Sequence, residues 1–535
     1  MIKLSCVVAA TMGLTAMVLP ARAADAPAKP PNILWISTED ISPDLRYYGD
    51  EYAITPNLDR FAAQGVRFNA AFSTAPVCAP SRCSIITGMY ASSVGGHHMR
   101  SDVVPPSFVK CFPEYLRAKG YFCTNNAKTD YNFPAPVTAW DECNNQAHWR
   151  HRPDKSQPFF AVFNIMTTHE GHVMNKDGQH THLLDSLSPS ERHDPAKAKL
   201  PSYYPDTPKV RAEWARYYDT ITLMDKQFAA FLKQLDDDGL AENTIVCFWG
   251  DHGRCLPRGK RWPYDSGLRV PLLVRWPGHL EPGSVRDDLV TVMDLAPTSL
   301  SVAGITPPSY MQARVIFGPS KSPDPQYVFA TRDRMDETFD MMRGARDERF
   351  RYIKNFHPEL PYAQIVKYGE VAPIMQEWRR LNAEHKLVGP QALFFAPTKS
   401  PEELYDEKSD PDEVHNLAAD PQYAGDLQRM RIAVEKWMTD IHDLGVIPED
   451  QLKKRMRPTG KKDITAEPQL AMNGNTIAAT CPTEGSSIAY TTESGNRRTT
   501  HWHLYIRPVE MQKNLRFKAV RLGYEDSAEI SVPRK

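Results

Sequence analysis

The 535-residue chain is too long for one ordinary core, so two or three domains are expected. With 41% hydrophobic and 24% charged residues, it has the balance of a soluble globular protein. A formal net charge of −1 excludes the bulk positive field that gathers nucleic acid, so an anionic ligand must be met by a local basic pocket.

Residues 1–23 read as a secretory signal. Lys3 gives a positive start, Leu4 to Leu19 is mostly apolar, and Ala21-Arg22-Ala23 fits a small-x-small cleavage site. A periplasmic or secreted location is therefore expected. Pro20 breaks the run, and nothing later has the apolar length of a stable membrane span. Of nine cysteines, Cys6 leaves with the signal. Cys83, Cys111, Cys123, Cys143, Cys247, Cys255 and Cys481 are too thinly spread for a disulfide framework, and no CxxC pair points to zinc.

Asn32 to Ser37 is a short apolar run that ends at Glu39-Asp40, a buried strand delivering two carboxylates. Thr55 to Gly65 reads as a helix with Pro56 in its first turn. Phe159 to Met166 is a second buried strand, followed by Thr167-Thr168-His169. Val210 to Leu235 is a long helical pattern. Thr244 to Trp249 is a third strand, ending at Gly250-Asp251-His252-Gly253, and Pro271 to Trp276 is a fourth. Strands alternating with helices predict an α/β domain over 24–330, a mostly parallel central sheet sandwiched by helices. Ligands of such sheets bind beyond the carboxyl ends of the strands, where these polar residues lie.

Past residue 330 the pattern changes. Phe350 to Lys354 is a strand candidate, Glu403 to Ala418 is rich in turns, and Tyr423 to Leu444 is an amphipathic helix, so 331–445 reads as a smaller α+β subdomain. Residues 446–465, with Pro448, Pro458 and Gly460 among charges, fit a linker. Short alternating runs in 466–535 read as a small all-β module.

The most informative stretch is Cys78-Ala79-Pro80-Ser81-Arg82, continued by Cys83 to Gly88. It resembles the Cys-x-Pro-x-Arg signature of the formylglycine-dependent (type I) sulfatases, which share the alkaline-phosphatase-like fold. Pro31 to Leu34 followed by Glu39-Asp40 resembles the family's first strand and its metal-binding carboxylates, with Glu39 where the family more often has Asp. Gly250 to Gly253 resembles the later metal-binding segment. Gly259-Lys260 and Tyr264 to Pro271 resemble the sulfate-binding lysine and the strand after it. Lys128 matches a family lysine, but Asp130 stands where the family has a histidine. His169 matches the histidine that protonates the leaving oxygen, with His172 a nearby competitor. Phe517 to Tyr524 resembles the β domain appended to some β-hexosaminidases.

The resemblance implies an aldehyde made from Cys78 by a formylglycine-generating enzyme, with Ca2+ held by Glu39, Asp40, Asp251, the modified Cys78 and His252. His252 could instead touch the sulfate. Arg82, Lys128 and Lys260 would surround the sulfate with positive charge, and His169 would be the general acid. His97, His98 and Arg100, and also Arg254, Arg258 and Arg261, are candidate sugar contacts. Trp35 and Trp249 sit on buried strands and read as core. A sulfated polysaccharide or oligosaccharide is the expected substrate. The alternatives are N-desulfation of a heparan-type sugar, phosphate chemistry of the wider superfamily, and an inactive glycan-binding protein.

Overall fold

The computed structural model describes residues 29–175, 178–494 and 500–532, so the signal expected in 1–23 lies outside the described residues. Eight strands form the central sheet: β1 (Asn32–Thr38), β2 (Val66–Phe68), β3 (Phe122–Asn126), β4 (Glu142–Cys143), β5 (Phe159–Ile165), β6 (Thr244–Gly250), β7 (Leu272–Arg275) and β8 (Ser284–Arg286). Their order is β4-β3-β5-β1-β6-β7-β2-β8. All pairs are parallel except those of β7, which runs antiparallel to both β6 and β2.

The central strands are apolar without a break because helices cover both faces of the sheet. Every residue of β1 and β6 is buried. Side chains alternate across the sheet: Ile33 and Trp35 join one core, Leu34 and Ile36 the other. Helix α1 (Pro56–Ala62) and the 30-residue α3 (Pro208–Asp237) cover the second face, where Phe61 meets Phe228 edge-on at 5.1 Å. Helices α2 (Cys78–Thr87) and α4 (Leu295–Val302) cover the first. Trp35 and Trp249 pack edge-on at 5.6 Å inside that core, as their strands imply.

The second unit is an antiparallel sheet of β9 (Val328–Arg332), β10 (Met342–Arg346), β11 (Phe350–Asn355) and β12 (Glu402–Asp406), in sequential order. Helix α5 (Ala424–Asp440) lays Leu427, Met430 and Val434 on it. Trp437 of α5 stacks on Phe329 at 4.8 Å and meets Tyr90 at 5.0 Å, which joins this sheet to the first core.

Residues 446–465, expected as a linker, contain the docked helix α6 (Glu449–Met456). Leu452 is buried, Glu449 pairs with Arg334 at 2.6 Å, and Arg457 pairs with Asp102 at 3.1 Å. The strands after residue 465 form two small antiparallel sheets around Ile477, Ile488, Leu515, Phe517 and Ala519. The chain passes the domain of the central sheet closely at two glycines with positive φ. A Cβ on Gly485 would lie 2.0 Å from Ser107 O, and one on Gly523 would lie 2.5 Å from Val103 O. Among the described residues, no helix is long and apolar enough to cross a membrane.

Candidate active site

Parallel pairing brings three strand ends level. Thr38 is in register with Ile165 on one side and Gly250 on the other. The residues just past them, Glu39-Asp40, Thr168-His169-Glu170 and Asp251-His252, therefore meet, and Lys128 arrives past the end of β3. The junction is tied by hydrogen bonds. Glu39 N donates to Ile165 O at 3.2 Å, Asp251 N donates to Thr38 O at 3.2 Å, and Thr168 Oγ1 donates to Glu39 O at 2.6 Å.

Cys78 is the first residue of α2, and Arg82 follows four residues later on the same helix face. That spacing explains why the cysteine and arginine of the motif enter one site. The helix N-terminus adds partial positive charge there. Arg82 binds Glu39, donates from Nε to Asp251 at 3.1 Å and from Nη1 to Asn164 at 2.9 Å. Lys128 binds the other oxygen of Glu39. Lys260 donates to Asp40 at 2.7 Å and pairs with Glu170 at 2.9 Å. The Cys78 Sγ has His252 Nε2 at 3.4 Å, Glu39 Oε2 at 3.6 Å, Lys260 Nζ at 3.7 Å and Asp40 Oδ1 at 3.9 Å.

Burial opposes charge throughout this site, and opposite charges overcome it. Despite burial, Lys128 and Arg82 hold the Glu39 carboxyl well below the usual carboxylate range. Against the same burial, Lys260 and His252 do so for Asp40. Burial would discharge His252, but Asp251 and Asp40 raise its pKa well above the ordinary value. Burial pushes the Cys78 thiol up, yet Lys128 and Lys260 bring it below its usual value.

His169 is a second histidine beside Cys78, their ligating atoms within 4.8 Å of each other. Its Nδ1 accepts from Gly171 N at 3.2 Å, which leaves Nε2 to carry a proton. Burial and Lys260 lower its pKa, while Asp40 and Cys78 raise it further, so the net shift is upward. His172 instead packs at a tilt against His180 at 4.0 Å, and burial lowers its pKa to about 4.

Several expected sugar contacts are not open to a sugar. His97 and His98 are 1% and 3% exposed, their rings tilted against each other at 4.2 Å, and Arg334 N of the second unit donates to His98 Nδ1 at 3.3 Å. Burial lowers their pKa values to about 3 and about 4. Arg254 is half-buried and paired with Asp44 at 2.7 Å, and Arg258 lies between the rings of Tyr203 and Tyr264 at 4.4 and 4.0 Å. Arg100 does reach solvent, beside Asp130 and Asp336.

Glu170 was missed by the sequence reading, although it directly follows His169. It is buried, its backbone N–H donates to Asp40 at 2.8 Å, and its carboxylate binds both Lys260 and Arg261. Asn164 was also missed; it links Arg82 to Asn125 by bonds of 2.9 and 3.0 Å.

The ligating atoms of Glu39, Asp40, Cys78 and His169 lie within 4.8 Å of one another, as do those of Asp40, Cys78, Asp251 and His252. Each set offers two carboxylates beside one cysteine and one histidine, and the three acidic residues Glu39, Asp40 and Asp251 supply the oxygen ligands that suit a hard cation.

The model of the Sulfatase family matches residues 31–305. An ulvan-active sulfatase of Formosa agariphila is 40% identical, the match covering 94% of this chain and 91% of that protein. Human N-sulphoglucosamine sulphohydrolase is 28% identical over 81% of this chain and 94% of its own length. Among solved structures, one bound to its substrate D-glucosamine-2-N,6-O-disulfate has a TM-score of 0.58 at 18% identity, covering 79% of this chain and 100% of its own. Phosphonate monoester hydrolase of Silicibacter pomeroyi has a TM-score of 0.57 at 17% identity, covering 84% and 99%. These two likenesses concern the fold. With the family model spanning the strand ends and α2, and a relative aligned over nearly the whole length, the chain belongs to the sulfatase family and is a sulfuric ester hydrolase.

Proposed function

We propose that this sulfatase removes sulfate from a sulfated carbohydrate, using a formylglycine made from Cys78 and a bound calcium ion. The observation that carries the reading is the setting of Cys78. Four charged groups surround its Sγ at 3.4 to 3.9 Å. A thiol is a weak hydrogen-bonding group, whereas such neighbours fit oxygen atoms on the same carbon. When installed by a formylglycine-generating enzyme, the hydrated aldehyde supplies two oxygens, one to attack sulfur and one to drive sulfate out.

Glu39, Asp40 and Asp251 would hold the calcium, with the oxidised Cys78 and His252 beside them. The ion would supply positive charge to sulfate oxygens. The chain's own residues do the remaining work. Arg82, Lys128 and Lys260 place fixed cations where a sulfate must be neutralised before an oxygen can approach it. His169, with Nδ1 occupied and a raised pKa, keeps a proton on Nε2 for the departing sugar oxygen. The burial of Glu39, Asp40, Cys78 and Asp251 excludes bulk water and strengthens each of these interactions.

The relatives named for ulvan, N-sulfoglucosamine and N-acetylgalactosamine-6-sulfate support a saccharide substrate. Export to the periplasm or the medium fits such a substrate. A second reading, cleavage of S–N in N-sulfated glucosamine, is favoured by the match to 94% of the human N-sulphoglucosamine enzyme. Sulfate release from ulvan oligosaccharides and from N-sulfated glucosamine separates the two. Peptide mass spectrometry of active protein should find an aldehyde or its hydrate at position 78. Repeated turnover by protein carrying only unmodified cysteine there overturns the mechanism.

A further inference from the structure

Four charged residues from separate segments meet outside the Cys78 site, and the chemistry above uses none of them. Arg100 follows α2, Asp130 lies two residues past Lys128, Arg261 follows Lys260, and Asp336 lies in the turn after β9. Arg100 Nε is 3.9 Å from Asp130, Arg100 Nη1 is 3.8 Å from Asp336, and Arg261 Nη2 is 3.3 Å from Asp336. The chain of contacts runs inward from both ends. Asp130 is 4.0 Å from Lys128, and Arg261 clamps Glu170, which holds Lys260.

Side-chain exposure rises along this path. It is 0% for Glu39 and Asp40, 10% for Arg261, 18% for Asp130, 20% for Asp336 and 60% for Arg100. The four residues therefore form a layer between the buried site and solvent. All four have positive φ: 50° at Arg100, 52° at Asp130, 76° at Arg261 and 50° at Asp336. That conformation is uncommon for residues other than glycine, and more so for arginine than for aspartate. Backbone held in sparsely populated regions clusters where ligands are gripped.

The charges of the four cancel, so the layer adds no net attraction for sulfate, and its carboxylates repel one. Their use lies elsewhere. The separations of Arg100 from both carboxylates exceed hydrogen-bond distance. Asp130 Oδ2 and Arg261 Nε are shielded from solvent and lack a hydrogen-bond partner. The Asp130 and Asp336 side chains as a whole remain 18% and 20% exposed, so each still reaches the solvent side from which a hydroxyl arrives.

We infer that Asp130 and Asp336 form a specificity subsite that accepts hydrogen bonds from the sugar hydroxyls next to the sulfated position, with Arg100 and Arg261 holding the two carboxylates in place. The inference rests on the sulfated-carbohydrate reading above and names the part of the substrate that is read. A site built to bind a hydroxyl discriminates strongly against a substrate lacking it.

The test compares kcat/KM for ulvan-derived and heparin-derived oligosaccharides with kcat/KM for 4-nitrophenyl sulfate, which has no ring hydroxyls. Asp130→Asn and Asp336→Asn should lower the ratio of saccharide to aryl sulfate by roughly tenfold to a hundredfold, the range for hydrogen bonds to a charged group. Disturbance of Lys128 or of Glu170 and Lys260 lowers both rates and leaves the ratio alone. A ratio within about twofold of the parent in both variants overturns the subsite. Binding of desulfated oligosaccharides to Cys78→Ala protein, followed by calorimetry, gives a second readout independent of turnover. Adding Asp336→Asn there should weaken it about tenfold, and equal affinity overturns the inference. Failure of the parent to turn over any sulfated substrate, with the aldehyde at 78 verified, overturns the sulfated-carbohydrate reading instead.

Discussion

Single side chains in this site are held by charges that burial makes indispensable to one another. Asp251 shows this most directly. Its Oδ1 accepts from the backbone N–H groups of Asp40 and His252 at 3.1 and 3.0 Å, and its Oδ2 accepts from Arg82 at 3.1 Å. Asp251→Ala should abolish sulfate release and remove any rise in melting temperature that calcium gives the parent. Thermal melts with calcium and with chelator check this; metal analysis finding zinc without calcium refutes the calcium assignment. Glu170 is a positioning residue. Glu170→Gln leaves Lys260 and Arg261 without their shared counter-charge and should destabilise the fold by about 3 kcal/mol in urea melts, typical of a broken buried pair.

Glu213 of α3 carries a different kind of strain. One oxygen accepts from Ile374 N, the other is buried without a partner, and burial raises its pKa from 4.5 to about 7. Between those values the folded chain keeps a proton that the unfolded chain releases, so this group's contribution to stability falls as pH rises through the window. Glu213→Gln should flatten that slope and add up to about 3 kcal/mol above neutral pH. Urea melts near pH 5 and pH 8 read it, and parallel curves for parent and variant refute it.

At the scale of elements, the site is an edge where strand ends and one helix start coincide. Strands β1, β5 and β6 are legible as unbroken apolar runs, and the polar residues after each run identify the working edge. The direction of β7 is not legible, since an apolar run reads the same in either orientation. Helix α6 hides for another reason. Of its eight residues only Leu452 is buried, so the charged pattern of a docked helix looks like that of a linker. Its place is set by partners far away in the chain, Arg334 and Asp102.

Over the whole molecule, the C-terminal sheets pack against the catalytic domain with many polar contacts. Lys110 donates to Gly485 O and Ser487 at 2.7 and 2.9 Å, Arg117 donates to Trp502 O at 2.8 Å, and Arg521 donates to Pro105 O at 2.6 Å. Truncation after residue 460 exposes Arg117 and strips these partners, yet removes no residue of the Cys78 site. The truncated chain should keep activity on a small aryl sulfate below its melting temperature while melting earlier than the full chain. Complete loss of that activity in a chain still folded by circular dichroism contradicts this.

What the sequence by itself determined is the family and the segments that converge on its site. Cys78, Arg82, Lys128, His169, Asp251 and Lys260 were legible because motif spacing and strand-end position are local properties. What only the tertiary structure decided is which side chains face one another and which face water. His97 and His98 lie nearer the motif than Lys260 does, yet they are sealed inside while Lys260 touches Cys78. Glu170, Arg261, Asp130 and Asp336 acquire their partners only when the register of β1 with β5 and β6 is set and the second sheet closes over them. The physical reason is that hydrophobic period and turn chemistry act over a few residues. Burial and ion pairing depend instead on packing between segments far apart in the chain, as in the bond from Lys260 to Asp40 across 220 residues.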